Sequence, residues 1–260
     1  MIYYTTHKTE NINSEWVVFV HGAGGSSTIW HIQIKAFKEH FNILLVDLRG
    51  HGQNDVEDEI NDKLEYSLKS ISKEIIHVLD EVKILKAHFV GVSLGTILIR
   101  EIIETYPDRI LKTVLTGTII RLNTYSKTLI SIGNATKKFV PFMVLYKIFA
   151  FVIMPRDNHK RSRNIFIKEA KKLKQSEFLR WFEMTKTLNQ NLNNYAKVIH
   201  NQPVLYLMGR QDHLFVNDAI DMVKMEKNGQ LEIIENCGHI VNIEQAELFN
   251  KKAIQFLLRN

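Results

Sequence analysis

The stretch Gly91-Val92-Ser93-Leu94-Gly95 decides the fold, because it places a serine between a predicted strand at 87–92 and a predicted helix at 94–106. Glycine two residues to either side of the serine is typical of a sharply bent backbone, where a Cβ atom would collide with the neighbouring strand or helix. The bend lifts the Ser93 hydroxyl clear of the sheet and points the Leu94 N–H toward an oxygen bound beside it. The stretch predicts a nucleophilic serine, but a pattern this short also occurs by chance, so the rest of the chain has to support it.

Strands and helices alternate along most of the remaining chain. The predicted strands are continuous apolar runs, which is typical of parallel strands covered by helices on both faces. The sequence therefore predicts an α/β fold with a mostly parallel central sheet, and the short region before Trp16 leaves room for one edge strand. The acidic stretch 55–62 predicts a loop. The predicted strands are 16–21, 42–47, 87–92, 110–115, 204–208 and 231–234, and the predicted helices are 28–40, 68–83, 94–106, 216–227 and 243–258.

The alternation stops between residues 119 and 197, where the sequence is helical in pattern and rich in lysine. We expect this segment to be a helical cap inserted between two parts of a core, residues 1–118 and 198–260. Within it, residues 139–154 are nearly all apolar but are interrupted by Pro141 and Lys147. This run is shorter than the roughly 18 apolar residues that a bilayer span needs, so it predicts a cap helix packed on the core, or one that contacts lipid or an acyl chain.

Charge is distributed unevenly along the chain. The formal net charge is +6, but residues 119–197 contain sixteen Lys and Arg against four Asp and Glu, which leaves the rest of the chain acidic. This contrast predicts either a surface that meets anionic lipid or an acidic partner, or an ordinary solvated helical face. Nucleic acid is not an expected partner, because the segment has no recognised base-reading or base-stacking motif.

Two polar residues downstream of Ser93 can complete a nucleophilic site. A serine hydroxyl needs a base within hydrogen-bond reach, and the base needs a carboxylate to orient it. Asp212 follows the predicted strand 204–208, and His239 follows the strand 231–234. The carboxyl ends of parallel strands meet at one edge of the sheet, so these residues are predicted to converge on Ser93. Asp218 is a second acid nearby, but its position early in a helix has a simpler explanation in the helix dipole.

Further motifs resemble those of the α/β-hydrolase superfamily, and the resemblance, to a serine esterase or lipase-like member with an inserted cap, covers nearly the whole chain. It implies a catalytic triad of Ser93, Asp212 and His239, an oxyanion hole from the backbone N–H groups of Ala23 and Leu94, and no cofactor or metal. One departure is Thr96, where many relatives have glycine. The matching motifs are His21-Gly22-Ala23-Gly24-Gly25, Asp47-Leu48-Arg49-Gly50-His51-Gly52, Tyr106-Pro107-Asp108-Arg109 and Gly238-His239-Ile240…Glu244.

The remaining histidines and the single cysteine are expected to be structural. His21 is predicted to stabilise its turn and not to act as a second base, and His51, His88 and His213 have ordinary polar or strand-edge explanations. Cys237 is expected to be a small buried residue. One cysteine and an N-terminus without an export signal predict a cytoplasmic protein.

Several functions remain open at this point. The first expectation is a serine carboxylesterase acting on a small-molecule acyl ester of medium or long chain, because the cap is apolar. A thioesterase or a C–C bond hydrolase would share the triad, and a non-catalytic ligand-binding module would share the fold. A dinucleotide-dependent oxidoreductase is a further alternative, in which Gly22-Ala23-Gly24 would bind phosphate and Asp47 a ribose, but Ser27 stands at the third glycine position of that fingerprint. Oligomeric state is not indicated.

Overall fold

Seven strands form one sheet in the computed structural model, which describes residues 1–11, 13–54, 64–196 and 201–259. The predicted loop at 55–62 and the predicted domain boundary at 197 lie outside these residues. The strand order is β1-β3-β2-β4-β5-β6-β7, with β1 antiparallel to β3 and every other neighbouring pair parallel. The strands are β1 (Tyr4–His7), β2 (Trp16–Val20), β3 (Asn42–Val46), β4 (Ala87–Val92), β5 (Ile110–Thr116), β6 (Val204–Gly209) and β7 (Gly229–Ile234). The predicted α/β fold is confirmed.

Helices cover both faces of this sheet. On β2, Val18 and Val20 pack in the layer that holds α2, α3 and α9, whereas Val17 and Phe19 pack against α1 and α11. A strand buried on both faces needs apolar residues at every position, which explains the continuous apolar runs. The α-helices are α1 (His31–Lys38), α2 (Leu68–Glu81), α3 (Leu94–Thr105), α4 (Thr124–Thr136), α5 (Phe142–Ile153), α6 (Lys160–Ala170), α7 (Gln175–Glu183), α8 (Thr185–Tyr195), α9 (Val216–Val223), α10 (Val241–Glu244) and α11 (Ala246–Leu258).

Two predicted helices are divided in the structure. The predicted helix 28–40 begins as a 3₁₀ turn, Ser27–Trp30, in which the Thr28 N–H donates to the Ser26 hydroxyl, and only then continues as α1. The predicted helix 243–258 is interrupted at Gln245, whose backbone is not helical, with α10 before it and α11 after it. Apolar periodicity persists across both interruptions, so the sequence pattern did not reveal them.

Between β5 and β6 the described chain runs only through helices, α4 to α8. They enclose a small apolar cluster of their own, made by α5, α6 and α7. Its buried members are Leu145, Tyr146, Ala170, Leu173, Phe178 and Phe182. The apolar run 139–154 contains the twelve-residue helix α5. No helix in the described ranges combines the length and the hydropathy that crossing a membrane requires.

At the turn from β4 to α3, three backbone segments lie very close together: the end of β2, the end of β4 and the start of α3. Ser93 has φ 53° and ψ −120°, a left-handed conformation that a residue with a side chain rarely adopts. A Cβ atom on Gly95 would lie 2.3 Å from the Val20 carbonyl oxygen, and one on Gly91 would lie 2.5 Å from Cδ1 of Ile99. Both glycines are therefore required for the approach of α3 to the sheet.

We predict that Gly95→Ala destabilises the protein, because its Cβ would meet backbone atoms of β2 that cannot move independently. Overpacking of this kind costs about 1–3 kcal/mol, so the free energy of unfolding in a urea titration should fall by about 2 kcal/mol. Gly133→Ala in α4 is the matched control. Its Cβ would lie 2.5 Å from Cζ of Phe182 and 3.1 Å from Cζ of Phe149, but these are ends of side chains that line a cavity and can shift into it, and alanine favours the helix. An equal loss in both variants would contradict this account of Gly95.

Candidate functional site

Asp212 and His239 lie in the loops that follow β6 and β7, and their side chains are in contact. His239 Nδ1 and Asp212 Oδ2 are 2.8 Å apart, and both side chains are almost completely buried. A Cβ atom on Gly209 would lie 2.1 Å from the Gly238 carbonyl oxygen, so the glycine that ends β6 allows the two loops to meet. The carboxylate orients the imidazole and requires its proton on Nδ1, which leaves Nε2 as a base. Among the described residues, that Nε2 atom has no hydrogen-bond partner.

Ser93 is held by its backbone at the end of β4. Its N–H donates to the Thr116 carbonyl at 3.1 Å, and its carbonyl accepts from the Thr96 N–H at 2.9 Å and the Thr96 hydroxyl at 2.6 Å. The residue that departs from the family pattern, Thr96, therefore supplies a second hydrogen bond to the strained turn. Gly117, next after Thr116, lies against the imidazole, because a Cβ atom there would be 3.1 Å from His239 Nδ1.

Ser93 and His239 are thus both adjacent to the Thr116–Gly117 segment at the end of β5. No hydrogen bond joins the Ser93 hydroxyl to His239 Nε2 among the contacts of the described residues. In enzymes without substrate, the contact between nucleophile and base is often long or misaligned and tightens in the complex. The structure therefore brings the acid and the base of the predicted triad into contact, and it brings the serine to the same edge of the sheet.

The predicted oxyanion donors, Ala23 and Leu94, line the same cavity as Ser93. Neither N–H donates to another group among the hydrogen bonds of the described residues. Leu94 is the first residue of α3, where the N–H has no partner within the helix and the helix dipole favours negative charge. These two N–H groups are therefore available to an anionic oxygen.

Two buried histidines hold the loop after β2 in place. The Gly24 N–H donates to His51 Nε2 at 2.9 Å, and the Leu48 N–H donates to His21 Nε2 at 2.9 Å. His21 Nδ1 donates in turn to the Gly22 carbonyl at 2.7 Å. Each ring connects the loop after β2 to the loop after β3, so the turn-stabilising role expected of His21 is confirmed.

Burial keeps both of these imidazoles neutral. Burial lowers the pKa of His51 to about 3, and the neighbouring His21 ring contributes to the shift. Burial also lowers the pKa of His21, although its hydrogen bond to Gly22 and the charge of Asp47 oppose the effect. A ring that stays neutral can accept a backbone N–H, as both rings do here.

Tyr146, on the inner side of α5, is a site residue that the sequence analysis did not identify. Its hydroxyl donates to the Ala23 carbonyl at 2.7 Å, and its ring stacks on Phe166 with centroids 4.5 Å apart. Gly24 has φ +65°, and a Cβ atom there would lie 2.4 Å from the tyrosine hydroxyl. The only available signal was one hydroxyl within the apolar run 139–154, and nothing local indicates its partner.

At least three further polar contacts connect the helices between β5 and β6 to the core. Trp181 in α7 donates its indole N–H to the Arg49 carbonyl at 3.0 Å, and Glu177 accepts from the Tyr66 hydroxyl at 2.5 Å. On the other side, Glu244 accepts from the Gly238 N–H at 2.6 Å and from the Ser162 hydroxyl at 2.8 Å. Glu244, part of the predicted histidine motif, therefore links α6 to the loop that carries His239.

A cavity of about 240 Å³ opens beside Ser93. Its walls are apolar, and among the described residues that line it there is no Lys, Arg, Asp or Glu. The few polar residues of the lining are uncharged, and they include Ser126 and Thr185. The lining comprises, from the core, Ala23, Gly24, His51, Leu68, Ser93, Leu94, Ile97, Leu214 and Phe215, and, from residues 119–188, mainly Ile119, Leu122, Leu129, Ile130, Tyr146, Phe149, Ile153, Phe166, Leu173, Phe178, Trp181, Phe182, Met184 and Leu188.

The competing candidates have structural roles. Asp218 lies 2.7 Å from Arg121 in an ion pair and does not contact His239. Asp47, the ribose ligand of the dinucleotide alternative, accepts the N–H groups of Ser27 at 2.6 Å and Gln53 at 2.8 Å with its two oxygens. Cys237 is buried, and burial raises the pKa of its thiol well above the usual range. In the part of the chain that the structure describes, no cluster of His, Cys, Asp and Glu is arranged to share a metal ion.

Comparison with known proteins agrees with this fold. The 2-hydroxy-6-oxononadienedioate/2-hydroxy-6-oxononatrienedioate hydrolase of Burkholderia vietnamiensis is 25% identical over 283 residues, which cover 99% of this chain and 91% of that protein. An uncharacterized carboxylesterase of Bacillus subtilis is 22% identical over 258 residues, which cover 92% and 78%. The crystal structure of the enol-lactonase from Burkholderia xenovorans superposes with a TM-score of 0.82 at 20% identity, over 99% of this chain and 96% of that one.

The family described as "alpha/beta hydrolase fold" matches residues 15–246, a range that includes β2 to β7, Ser93, Asp212 and His239. This match agrees with the turn at Ser93, the mostly parallel sheet, and the acid and base after β6 and β7. The chain belongs to the alpha/beta hydrolase fold family.

Proposed function

We propose that this protein is a serine hydrolase that cleaves carboxylic esters with an apolar acyl group, through an acyl-enzyme on Ser93. The observation that carries the proposal is the contact of 2.8 Å between Asp212 and His239, whose Nε2 has no partner among the described residues. At the same end of the sheet, Ser93 lines a cavity without charged side chains among its described residues. A base with a fixed tautomer, a serine on a strained turn and an apolar cavity are together what acyl transfer requires.

The proposed reaction has two halves that use the same groups. In the first, His239 Nε2 takes the Ser93 proton while the serine oxygen bonds to the ester carbonyl carbon, and the N–H groups of Ala23 and Leu94 stabilise the oxyanion. The carbon–oxygen bond to the alcohol then breaks, and Nε2 returns the proton to the leaving alkoxide. In the second half, water loses a proton to Nε2 as it attacks the acyl carbonyl. The bond from the acyl carbon to the Ser93 oxygen then breaks, Nε2 returns the proton to that oxygen, and the carboxylic acid leaves.

The lining of the cavity favours this substrate class over the one named for the Burkholderia vietnamiensis relative. A dioate carries two carboxylates, and burying an unpaired carboxylate is very costly. The described residues around the cavity of this chain include no Lys or Arg to pair with it. An apolar acyl chain gains free energy from the same surface, about 0.8 kcal/mol for each methylene that it buries.

Ser93 is expected to react with an alkyl fluorophosphonate, which phosphonylates activated serines with loss of fluoride. Mass spectrometry should find one adduct, on the peptide containing Ser93, and Ser93→Ala should abolish it. Ser126→Ala is the matched control, because Ser126 lines the same cavity with its hydroxyl bonded to Asn123 and has no adjacent base. Labelling that persists in Ser93→Ala would exclude Ser93 as the nucleophile.

The substrate class is tested with p-nitrophenyl esters of increasing acyl length. Because each buried methylene contributes about 0.8 kcal/mol, kcat/KM should rise roughly fourfold per methylene until the cavity is filled, and Ser93→Ala should reduce turnover to background. Acyl thioesters of the same lengths and a meta-cleavage dioate are measured in parallel. A flat response to chain length would overturn the apolar acyl group of the proposal. A higher kcat/KM for the thioester or the dioate would overturn the ester in favour of the thioesterase or C–C hydrolase alternative.

Tyr146→Phe is predicted to lower kcat about fivefold with little change in KM, and to lower the free energy of unfolding by about 1 kcal/mol. The hydroxyl holds the Ala23 peptide, whose N–H we assign to the oxyanion hole, and a typical hydrogen bond contributes about 1 kcal/mol. Phenylalanine keeps the ring that lines the cavity, so substrate binding should be retained. Tyr125→Phe, at an exposed tyrosine of α4, is the control and should behave as wild type. A change in KM alone would contradict a positioning role.

A further inference from the structure

Helix α5 is apolar on two opposite faces. Its inner face, with Tyr146, Phe149 and Ile153, lines the cavity beside Ser93. Its outer face carries Val144, Ile148 and Phe151, which are four and three residues apart and therefore form one stripe. All three are about half exposed. A helix that is apolar all round is normally buried or in contact with lipid, so the outer stripe lacks the covering that its composition predicts.

The stripe is extended by the turn that leads into α5. Phe139 lies in this turn, and 86% of its surface is exposed. We call Phe139, Val144, Ile148 and Phe151 the outer apolar face. Single exposed apolar residues are ordinary, but four within thirteen positions, two of them phenylalanine, form a patch of the kind that marks an interaction surface.

Two exposed lysines flank the outer apolar face. Lys147 is exposed and stands three residues after Val144 and four before Phe151, which places it on the same side of the helix. Lys138 is exposed next to Phe139. The acids of this segment offset the charge only in part at the surface, because Glu169 and Glu177 are buried. With sixteen Lys and Arg against four Asp and Glu in residues 119–197, the segment that carries the face is strongly basic.

We infer that the outer apolar face docks on an anionic lipid bilayer. Apolar side chains that enter the headgroup region, flanked by lysines that meet anionic lipid, are the features of a helix that lies in a membrane interface. A second copy of this chain is the poorer partner, because a symmetric contact would bring two strongly basic segments together. The inference deepens the proposed function and rests on it in one respect, the identity of the cavity as an acyl site. With the face docked, only α5, about 10 Å thick, would separate that cavity from the lipid.

The test is co-sedimentation of the full chain with vesicles of phosphatidylcholine, alone or mixed with phosphatidylglycerol. We expect binding to the mixed vesicles that weakens as salt is raised, and little binding to phosphatidylcholine alone. Phe139→Ser with Ile148→Ser, and separately Lys138→Glu with Lys147→Glu, should each weaken binding about tenfold or more. The matched controls are Leu85→Ser and Lys86→Glu. Leu85 is 83% exposed and precedes β4, so it lies at the end of the strands opposite to Ser93. Both controls should therefore bind as wild type.

The outcomes separate docking from catalysis. None of the substituted residues lines the cavity or belongs to the proposed triad, so every variant should hydrolyse a soluble p-nitrophenyl ester at the wild-type rate. Failure of all proteins to sediment, or equal binding of the face variants and the controls, would overturn the docking proposal and leave the esterase proposal intact. A dimer in sedimentation velocity that the Phe139 and Ile148 substitutions dissociate would also overturn it, in favour of self-association. Vesicle binding by a protein inactive on every ester would overturn the proposed function alone.

Discussion

The close approach of three backbone segments at Ser93 is the constraint on which the rest of the site depends. Gly95 lies so near the Val20 carbonyl that a Cβ atom would be 2.3 Å from it, and Ser93 is held at φ 53° as a result. This strain persists because Thr116 and Thr96 hold both backbone groups of Ser93. The same turn exposes the hydroxyl, starts α3 and leaves the Leu94 N–H without a partner in the helix. Nucleophile and oxyanion donor therefore arise from one local conformation.

The helices between β5 and β6 reach the site through a few polar anchors in apolar surroundings. Tyr146 and Trp181 both donate to backbone carbonyls of the core, those of Ala23 and Arg49, in the loops after β2 and β3. A buried hydroxyl or indole N–H is costly without a partner. These hydrogen bonds therefore specify the position of the helices on the core more narrowly than apolar packing alone would. The residues that shape the cavity thus also hold the loop of the proposed oxyanion hole.

Much of the fold could be predicted from the sequence because its signals are local. The six parallel strands follow from continuous apolar runs, and the spacing of Gly91 and Gly95 around Ser93 identifies the turn, although the carbonyl that requires glycine at Gly95 belongs to β2. Asp212 could be chosen over Asp218 by its place after a strand, and the ion pair of Asp218 with Arg121 agrees with that choice. The breaks before His31 and at Gln245 were missed, because periodicity continues through a capped turn or a single non-helical residue.

The sequence by itself determined the fold class, the order of serine, acid and histidine, and the apolar and basic character of residues 119–197, since all of these are properties of short segments or of their order. Only the tertiary structure decided that Tyr146 reaches Ala23, that Glu244 connects the His239 loop to α6, and that the cavity has no charged lining among its described residues. The physical reason is distance along the chain: Tyr146 and Ala23 are 123 positions apart, and no local pattern encodes which buried hydroxyl finds which carbonyl.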